Sequence, residues 1–190
     1  MTKFAKAIIK QKKGRKMNPL IQLKKIRILP LLIALPLAVV APALATPVCG
    51  VLTDTLAVGH YPSGLLDLMC KDALRGWDLK LKVKGDSDVY VTRHTFQPGQ
   101  HTGWHTHPGP SLITVIAGEL TVYEADNPTC MPTVYHAGES FTDIGCGDVH
   151  LVRNEGTATA MDVAVQIVPA GAARRIDADQ PANCPVITCP

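Results

Sequence analysis

The sequence predicts an all-β domain with one short helix ahead of it. From Leu79 onwards, several short segments alternate apolar and polar residues with a period of two, which is typical of strands with one buried face. Turn-forming residues separate these segments, as in Pro98-Gly99 and Asp126-Asn127-Pro128. Short strands at regular spacing with such turns favour a β-sandwich or a β-barrel.

The first 45 residues have the pattern of a secretory signal peptide. A basic region is followed by the uncharged apolar run 28–42 and by Ala43-Leu44-Ala45, a small-x-small cleavage pattern. Met17 is an alternative start, because residues 17–45 also form a complete signal. An uncleaved membrane anchor is the competing interpretation, but the apolar run is shorter than the roughly 20 residues that a spanning helix needs. We therefore expect a periplasmic or secreted protein with no stable membrane anchor after cleavage.

Removing this segment reverses the charge of the protein. The whole chain has 19 basic and 16 acidic residues and a net charge of +3. Ten basic residues and no acidic residue precede Thr46, so residues 46–190 hold 9 basic and 16 acidic residues, a net charge of −7. An acidic surface argues against a nucleic-acid partner. The remaining 145 residues are enough for one domain with a hydrophobic core.

All six cysteines lie in residues 46–190, and an even number in an exported chain suggests disulfides. Six cysteines allow 15 pairings, and the sequence does not choose among them. Cys184 and Cys189 are close enough in the chain to close a small loop. Cys146 lies four residues before His150, which leaves a role beyond structure open for it.

The elements follow in order along the chain. Residues 46–78 form an N-terminal extension, in which residues 46–62 are an extended lead-in and residues 63–77 one short helix. Leucines and other apolar residues recur there at near-helical spacing, and Gly76 ends the helix. Residues 79–170 form the β-domain, and residues 171–190 a tail that contains Pro and Cys. The predicted strands lie at Leu79–Val83, Val89–Phe96, Leu112–Ile116, Leu120–Tyr123, His150–Val152 and Met161–Val168.

Four histidines are candidates for a metal site. Residues i and i+2 of a strand point to the same face, so His105 and His107 can direct their rings to one point. Neutral imidazole is the commonest metal ligand in proteins. Two ligands on one strand do not close a site, and His150 is the natural third. By strand parity His101 shares their face, either as a fourth ligand or as a rim residue that contacts substrate.

Two motifs in this region resemble those of the cupin superfamily. Gly99, five residues, His105-x-His107 and then Gly118 resemble the first motif; Gly138 followed by Gly147-x-x-His150-x-x-x-Asn154 resembles the second. The resemblance implies a single jelly-roll barrel in which His105, His107 and His150 bind one divalent metal. Iron, manganese, zinc, nickel and copper are not distinguished. It also implies a homodimer, because cupin barrels often pair through their sheets.

The chain departs from the cupin pattern at two positions. Ser111 stands where the first motif usually has a glutamate ligand, and Gly145 where the second usually has a proline. Three imidazoles without a carboxylate leave the metal its full charge and open positions for water or substrate. Some cupin-type oxygenases use three-histidine iron sites, so the missing glutamate does not imply an inactive site.

Two classes of function therefore remain open. One is an oxygenase-like, metal-dependent enzyme that acts on a small molecule, and the other is a non-catalytic module that binds a small ligand. Trp104 precedes His105 and points to the opposite face, so it is expected in the core or in an interface. Asn154 is expected to fix the backbone, and Asp148 to stabilise a turn or to orient His150.

Overall fold

The computed structural model describes residues 47–190, so the predicted signal peptide and the alternative start at Met17 lie outside the described residues. Twelve strands and no helix form within this range. The described part accordingly has no helix of the length and hydropathy that crossing a membrane requires. The strands are β1 (Leu52–Tyr61), β2 (Asp67–Asp72), β3 (Trp77–Lys82), β4 (Ser87–Phe96), β5 (His105–Thr106), β6 (Ser111–Ala117), β7 (Glu119–Glu124), β8 (Thr133–His136), β9 (Ser140–Asp143), β10 (His150–Arg153), β11 (Ala160–Pro169) and β12 (Ile176–Asp177).

Ten of these strands form two five-stranded sheets, with the orders β1-β4-β11-β6-β9 and β12-β5-β10-β7-β8. Every pair of neighbouring strands is antiparallel. The all-β prediction is therefore confirmed. The predicted barrel takes the form of two open sheets, since no strand-to-strand hydrogen bonding joins them among residues 47–190.

The main core combines side chains from both sheets. Phe96 and Val115 of the first sheet cluster with Leu120, Val122 and Val152 of the second. Strands β6 and β11 alternate buried and more exposed residues along their length, as expected when one face of a strand packs on a core. The apolar interior therefore lies between the two sheets.

The C-terminal tail covers the other face of the second sheet. Trp104, Tyr123 and Leu151 form a second buried cluster there, together with the cystine of Cys130 and Cys184. Trp104 has no exposed surface, which confirms its prediction as a core residue. Strand β10 is consequently buried on both faces, because one face meets the main core and the other meets the tail.

Two disulfides attach the C-terminal tail to the rest of the domain, and their pairing differs from the predicted one. Cys49 bonds Cys189, and Cys130 bonds Cys184. The predicted Cys184–Cys189 loop is therefore wrong, because each of these cysteines crosses to a distant part of the chain. Cys70 and Cys146 are free and exposed.

The predicted helix over residues 63–77 is also wrong, because this segment begins the β2–β3 hairpin. Leu68 pairs with Leu81 and Cys70 with Leu79, which places four apolar residues on one face. Gly76, at φ 62°, belongs to the hairpin turn. The near-helical spacing of the apolar residues spans the hairpin turn, and cross-strand pairing instead decides which of their side chains meet.

The extended lead-in is strand β1, which pairs along its length with β4. All six predicted strands coincide with strands of the structure, namely β3, β4, β6, β7, β10 and β11. Four further strands that the sequence did not predict, β5, β8, β9 and β12, have two to four residues, too few to show a period.

Removing the Cys49–Cys189 bond should destabilise the domain. The bond closes a loop of 140 residues, and the chain-entropy model assigns such a loop about 5 kcal/mol, with roughly 2–5 kcal/mol usually lost on removal of a native disulfide. We expect the double variant Cys49→Ser/Cys189→Ser to lose a free energy of unfolding in this range in urea titrations. Cys70→Ser is the matched control and should leave the midpoint unchanged. An unchanged midpoint in the double variant would contradict the structural importance of the bond.

Candidate metal centre

Three histidine rings meet between the two sheets. His105 lies on the short strand β5 and is the direct antiparallel partner of His150 on β10. The ring centroid of His105 lies 4.3 Å from that of His150 and 4.8 Å from that of His107. One potential ligand atom from each ring lies within 4.8 Å of the other two. The structure therefore brings together the three histidines of the two sequence motifs.

Backbone carbonyls orient two of these rings. The Nδ1 atom of His105 lies 2.9 Å from the oxygen of Gly103, and that of His107 lies 2.5 Å from the oxygen of Arg174. Because a carbonyl only accepts hydrogen bonds, Nδ1 carries the proton in both rings and Nε2 keeps its lone pair. This arrangement is common in metal-binding histidines.

Burial keeps the three rings in the form that binds a metal. It lowers the pKa of His105, His107 and His150 below the usual histidine value, and the proximity of the rings to one another lowers the pKa of His105 further. All three imidazoles are therefore neutral near pH 7. The Nδ1 atom of His150 is buried and has no partner in hydrogen-bonding geometry. A set of neutral nitrogen donors with free lone pairs suits a divalent transition metal.

A carboxylate that the sequence analysis missed lies beside these rings. Asp143 ends strand β9, and its Oδ2 is 3.6 Å from His107 Nε2 while its Oδ1 is 3.8 Å from His150 Nδ1. Only 5% of Asp143 is exposed. In the sequence, Asp143 lies two residues before Gly145 and has the pattern of an ordinary turn residue. No motif spacing therefore identified it as a site residue.

The structure does not bring His101 to the other three histidines. Gly103 adopts φ 71° and breaks the strand parity on which the prediction depended. His101 instead forms isolated bridges with Cys49 and Arg153, and its Nδ1 accepts a hydrogen bond from the Gly103 amide at 3.1 Å. A ring nitrogen lies within 4.8 Å of both sulfurs of the Cys49–Cys189 bond. His101 therefore lies beside the Cys49–Cys189 bond, and it is absent from the wall of the cavity described next.

The three histidines open onto a cavity of about 130 Å³ between the sheets. Its wall includes Ser111, Asp143 and two cations, Arg174 and Arg175, from the segment after β11. His94 also lines the cavity, but its Nδ1 pairs with Asp162 Oδ1 at 2.6 Å. A cavity of roughly 150 Å³ accommodates a molecule the size of benzene, so this space suits a small molecule.

Asn154 fixes the backbone around the site, as predicted. It is fully buried, and its Nδ2 donates to the carbonyl oxygens of Phe96 at 2.9 Å and Ala158 at 2.8 Å. Asp148 lies in a turn in which its amide bonds the oxygen of Gly145 at 3.1 Å. The amide of Cys146 bonds the oxygen of His107 at 2.7 Å, whereas its thiol is exposed. Cys146 thus supports His107 through its backbone.

The part of the chain that holds this site is similar to a known domain family. A family model for the cupin domain matches residues 92–180. No curated protein matches the sequence. A solved double-stranded β-helix domain protein from Klebsiella pneumoniae is 27% identical over 48% of this chain and 76% of its own, with a TM-score of 0.41. A cupin domain from Bordetella pertussis is 28% identical over 42% of this chain and 80% of its own, with a TM-score of 0.35.

The matched residues contain the three histidines, Asp143 and Asn154. They also contain most strands of both sheets. The family match, together with two facing antiparallel sheets, supports a cupin superfamily domain in residues 92–180.

Proposed function

We propose that the protein is a metal-dependent cupin of the oxygenase-like kind, which acts on a small molecule in the cavity between its sheets. His105, His107 and His150 would hold one divalent metal. The observation that carries this proposal is the convergence of three neutral imidazoles, two buried and one half-buried, at the lining of a cavity. A metal held there supplies a Lewis acid and, where it is redox-active, a route for electrons.

The side chains around the cavity leave little acid–base chemistry to the protein itself. Asp162 is paired with His94, and Asp143 accepts the amide of Gly145 at 2.7 Å. Among the described residues of the wall, each of these carboxylates thus has one oxygen engaged as an acceptor. This favours chemistry centred on the metal. It also keeps a second function open, in which the site captures a small ligand without converting it.

The cavity wall favours an anionic ligand. Arg175 donates from Nε to Asp177 Oδ1 at 2.6 Å, but its Nη2 is buried without a hydrogen-bond partner. The guanidinium of Arg174 lies 5.0 Å from the ring centroid of Tyr90, which holds it at the same wall. A buried donor without a partner is costly, and a carboxylate or a similar anion would satisfy Nη2 with a charge-assisted bond.

Export is part of the proposal. The two cystines of the domain support it, because disulfides persist in oxidising compartments and are rare in the cytosol. The homodimer implied by the cupin resemblance and the absence of a nucleic-acid partner stay predictions.

Replacing both first-motif histidines should remove the metal and leave the domain folded. We expect one metal ion per chain in the wild-type protein and none in His105→Ala/His107→Ala, measured by elemental analysis with circular dichroism as the check on folding. His136→Ala is the matched control, since His136 is exposed on β8 and pairs with Glu119 at 3.4 Å. Stoichiometric metal in the double variant would rule out the proposed site.

Removing the charge of Arg175 should weaken the binding of small carboxylates. A hydrogen bond to a charged group contributes about 1.5–3 kcal/mol, so we expect Arg175→Met to bind propionate at least tenfold more weakly in calorimetry of the zinc-loaded protein. Propionamide tests the charge, because it has nearly the same shape and should bind weakly to both forms. Arg93→Met, at an arginine of β4 that does not line the cavity, should behave as wild type. Equal propionate affinity in all three proteins would exclude Arg175 as the anion anchor.

A further inference from the structure

The carboxylate that the first cupin motif lacks is present on the neighbouring strand. Ser111 on β6 and Asp143 on β9 are direct antiparallel partners. Side chains of such partners lie on the same face with Cβ atoms about 4.5–5.5 Å apart. Both are buried, with exposures of 4% and 5%. Asp143 therefore brings an acidic group to the region where a glutamate at position 111 would have placed one.

The distances fit a shared metal better than a hydrogen bond. Two donors that are each about 2.1 Å from one metal lie about 3.0–3.5 Å apart in octahedral or tetrahedral geometry. Asp143 Oδ2 is 3.6 Å from His107 Nε2, the atom whose lone pair is free. That separation is too long for a hydrogen bond.

The two oxygens of Asp143 have different environments. Oδ1 accepts the amide of Gly145 at 2.7 Å, which fixes the orientation of the carboxylate. Oδ2 has the hydroxyl of Ser111 at 3.5 Å, at the limit of a hydrogen bond, and Ser111 in turn accepts from Gln166 Nε2 at 3.3 Å. Oδ2 therefore keeps lone-pair capacity on the side that faces His107.

The backbone at Gly145 has little freedom to move this carboxylate. Gly145 adopts φ 65°, and a Cβ atom there would lie 2.3 Å from the oxygen of Gly109. Only glycine fits this close approach. The amide that holds Oδ1 is thus set by the packing of one chain segment on another. This also explains why Gly145 stands where cupins usually have a proline, since proline has no amide hydrogen to donate.

The charge of Asp143 needs a partner. Within residues 47–190, the basic groups within 4.0 Å of this carboxylate are His107 and His150, which are neutral when they act as ligands. A buried carboxylate without a counter-charge is unfavourable. A divalent cation among these groups would supply that charge.

We infer that Asp143 is the fourth protein ligand of the metal centre, which replaces, from strand β9, the glutamate absent at position 111. This inference rests on the proposed metal site of His105, His107 and His150 and makes its donor set three nitrogens and one oxygen. A divalent ion bound there would keep one net positive charge instead of two.

Zinc binding to the full chain tests the inference. We expect Asp143→Asn to bind Zn²⁺ at least tenfold more weakly than wild type in competition with a chromophoric chelator. The asparagine oxygen can still accept the Gly145 amide, so the turn should persist, and thermal unfolding of the metal-free variant checks this. Asp162→Asn is the matched control, because Asp162 lines the same cavity but pairs with His94, and its zinc affinity should stay near that of wild type.

Exchanging Ser111 and Asp143 distinguishes metal ligation by a carboxylate from a general effect of its negative charge. In Ser111→Asp/Asp143→Ser the carboxylate moves across the strand pair while composition and volume stay the same, and we expect zinc affinity to recover at least in part. A crystal structure of the zinc-loaded wild type should show Asp143 Oδ2 at about 2.0–2.2 Å from the metal.

Three results would overturn the inference. Zinc on the three histidines with Asp143 Oδ2 beyond 3 Å would exclude it and leave the proposed function intact. Unchanged zinc affinity in Asp143→Asn would do the same. A wild-type protein without stoichiometric zinc, and with no effect of His105→Ala/His107→Ala, would remove the proposed metal centre as well.

Discussion

The antiparallel pairing of His105 with His150 is the contact on which the site depends. It joins the two histidine motifs across 45 positions of sequence through a strand of only two residues, β5. That strand is held on one side by β10 and on the other by β12 of the tail. The geometry of the imidazoles is therefore set by the sheet as a whole and by the tail that completes it. A short strand of this kind has little stability of its own.

The tail has a larger role than that of a tethered end. It supplies β12, covers Trp104 and Leu151, and contains Arg174 and Arg175, which line the cavity. The carbonyl of Arg174 also fixes the tautomer of His107. Binding chemistry and completion of the second sheet thus come from the same stretch of chain. A change in the tail is expected to reach the site through hydrogen bonds and packing.

The sequence predicted the parts of the structure that repeat or match a motif. The all-β class, six strands and the roles of Trp104 and Asn154 followed from period, parity and spacing. The remainder depends on contacts between distant residues. Asp143 becomes relevant only through its pairing with Ser111, and the orphan donor of Arg175 only through the packing of the tail. His101 was misplaced because a single positive φ at Gly103 interrupts strand parity, and the cystines follow from topology that spacing does not encode.

The Cys49–Cys189 bond makes the described domain a covalent ring. Leu74, at the tip of the β2–β3 hairpin, is 96% exposed, so a protease can reach the backbone there without opening either large sheet. One cut at that tip would turn the ring into a linear chain whose new ends lie at the hairpin and whose old ends stay joined by sulfur. Such a nicked molecule has the connectivity of a circular permutant. Its two pieces would separate on a gel only after reduction. The three histidines would remain within one piece, whereas Val48, Val51 and Thr53 of the cavity wall would belong to the other.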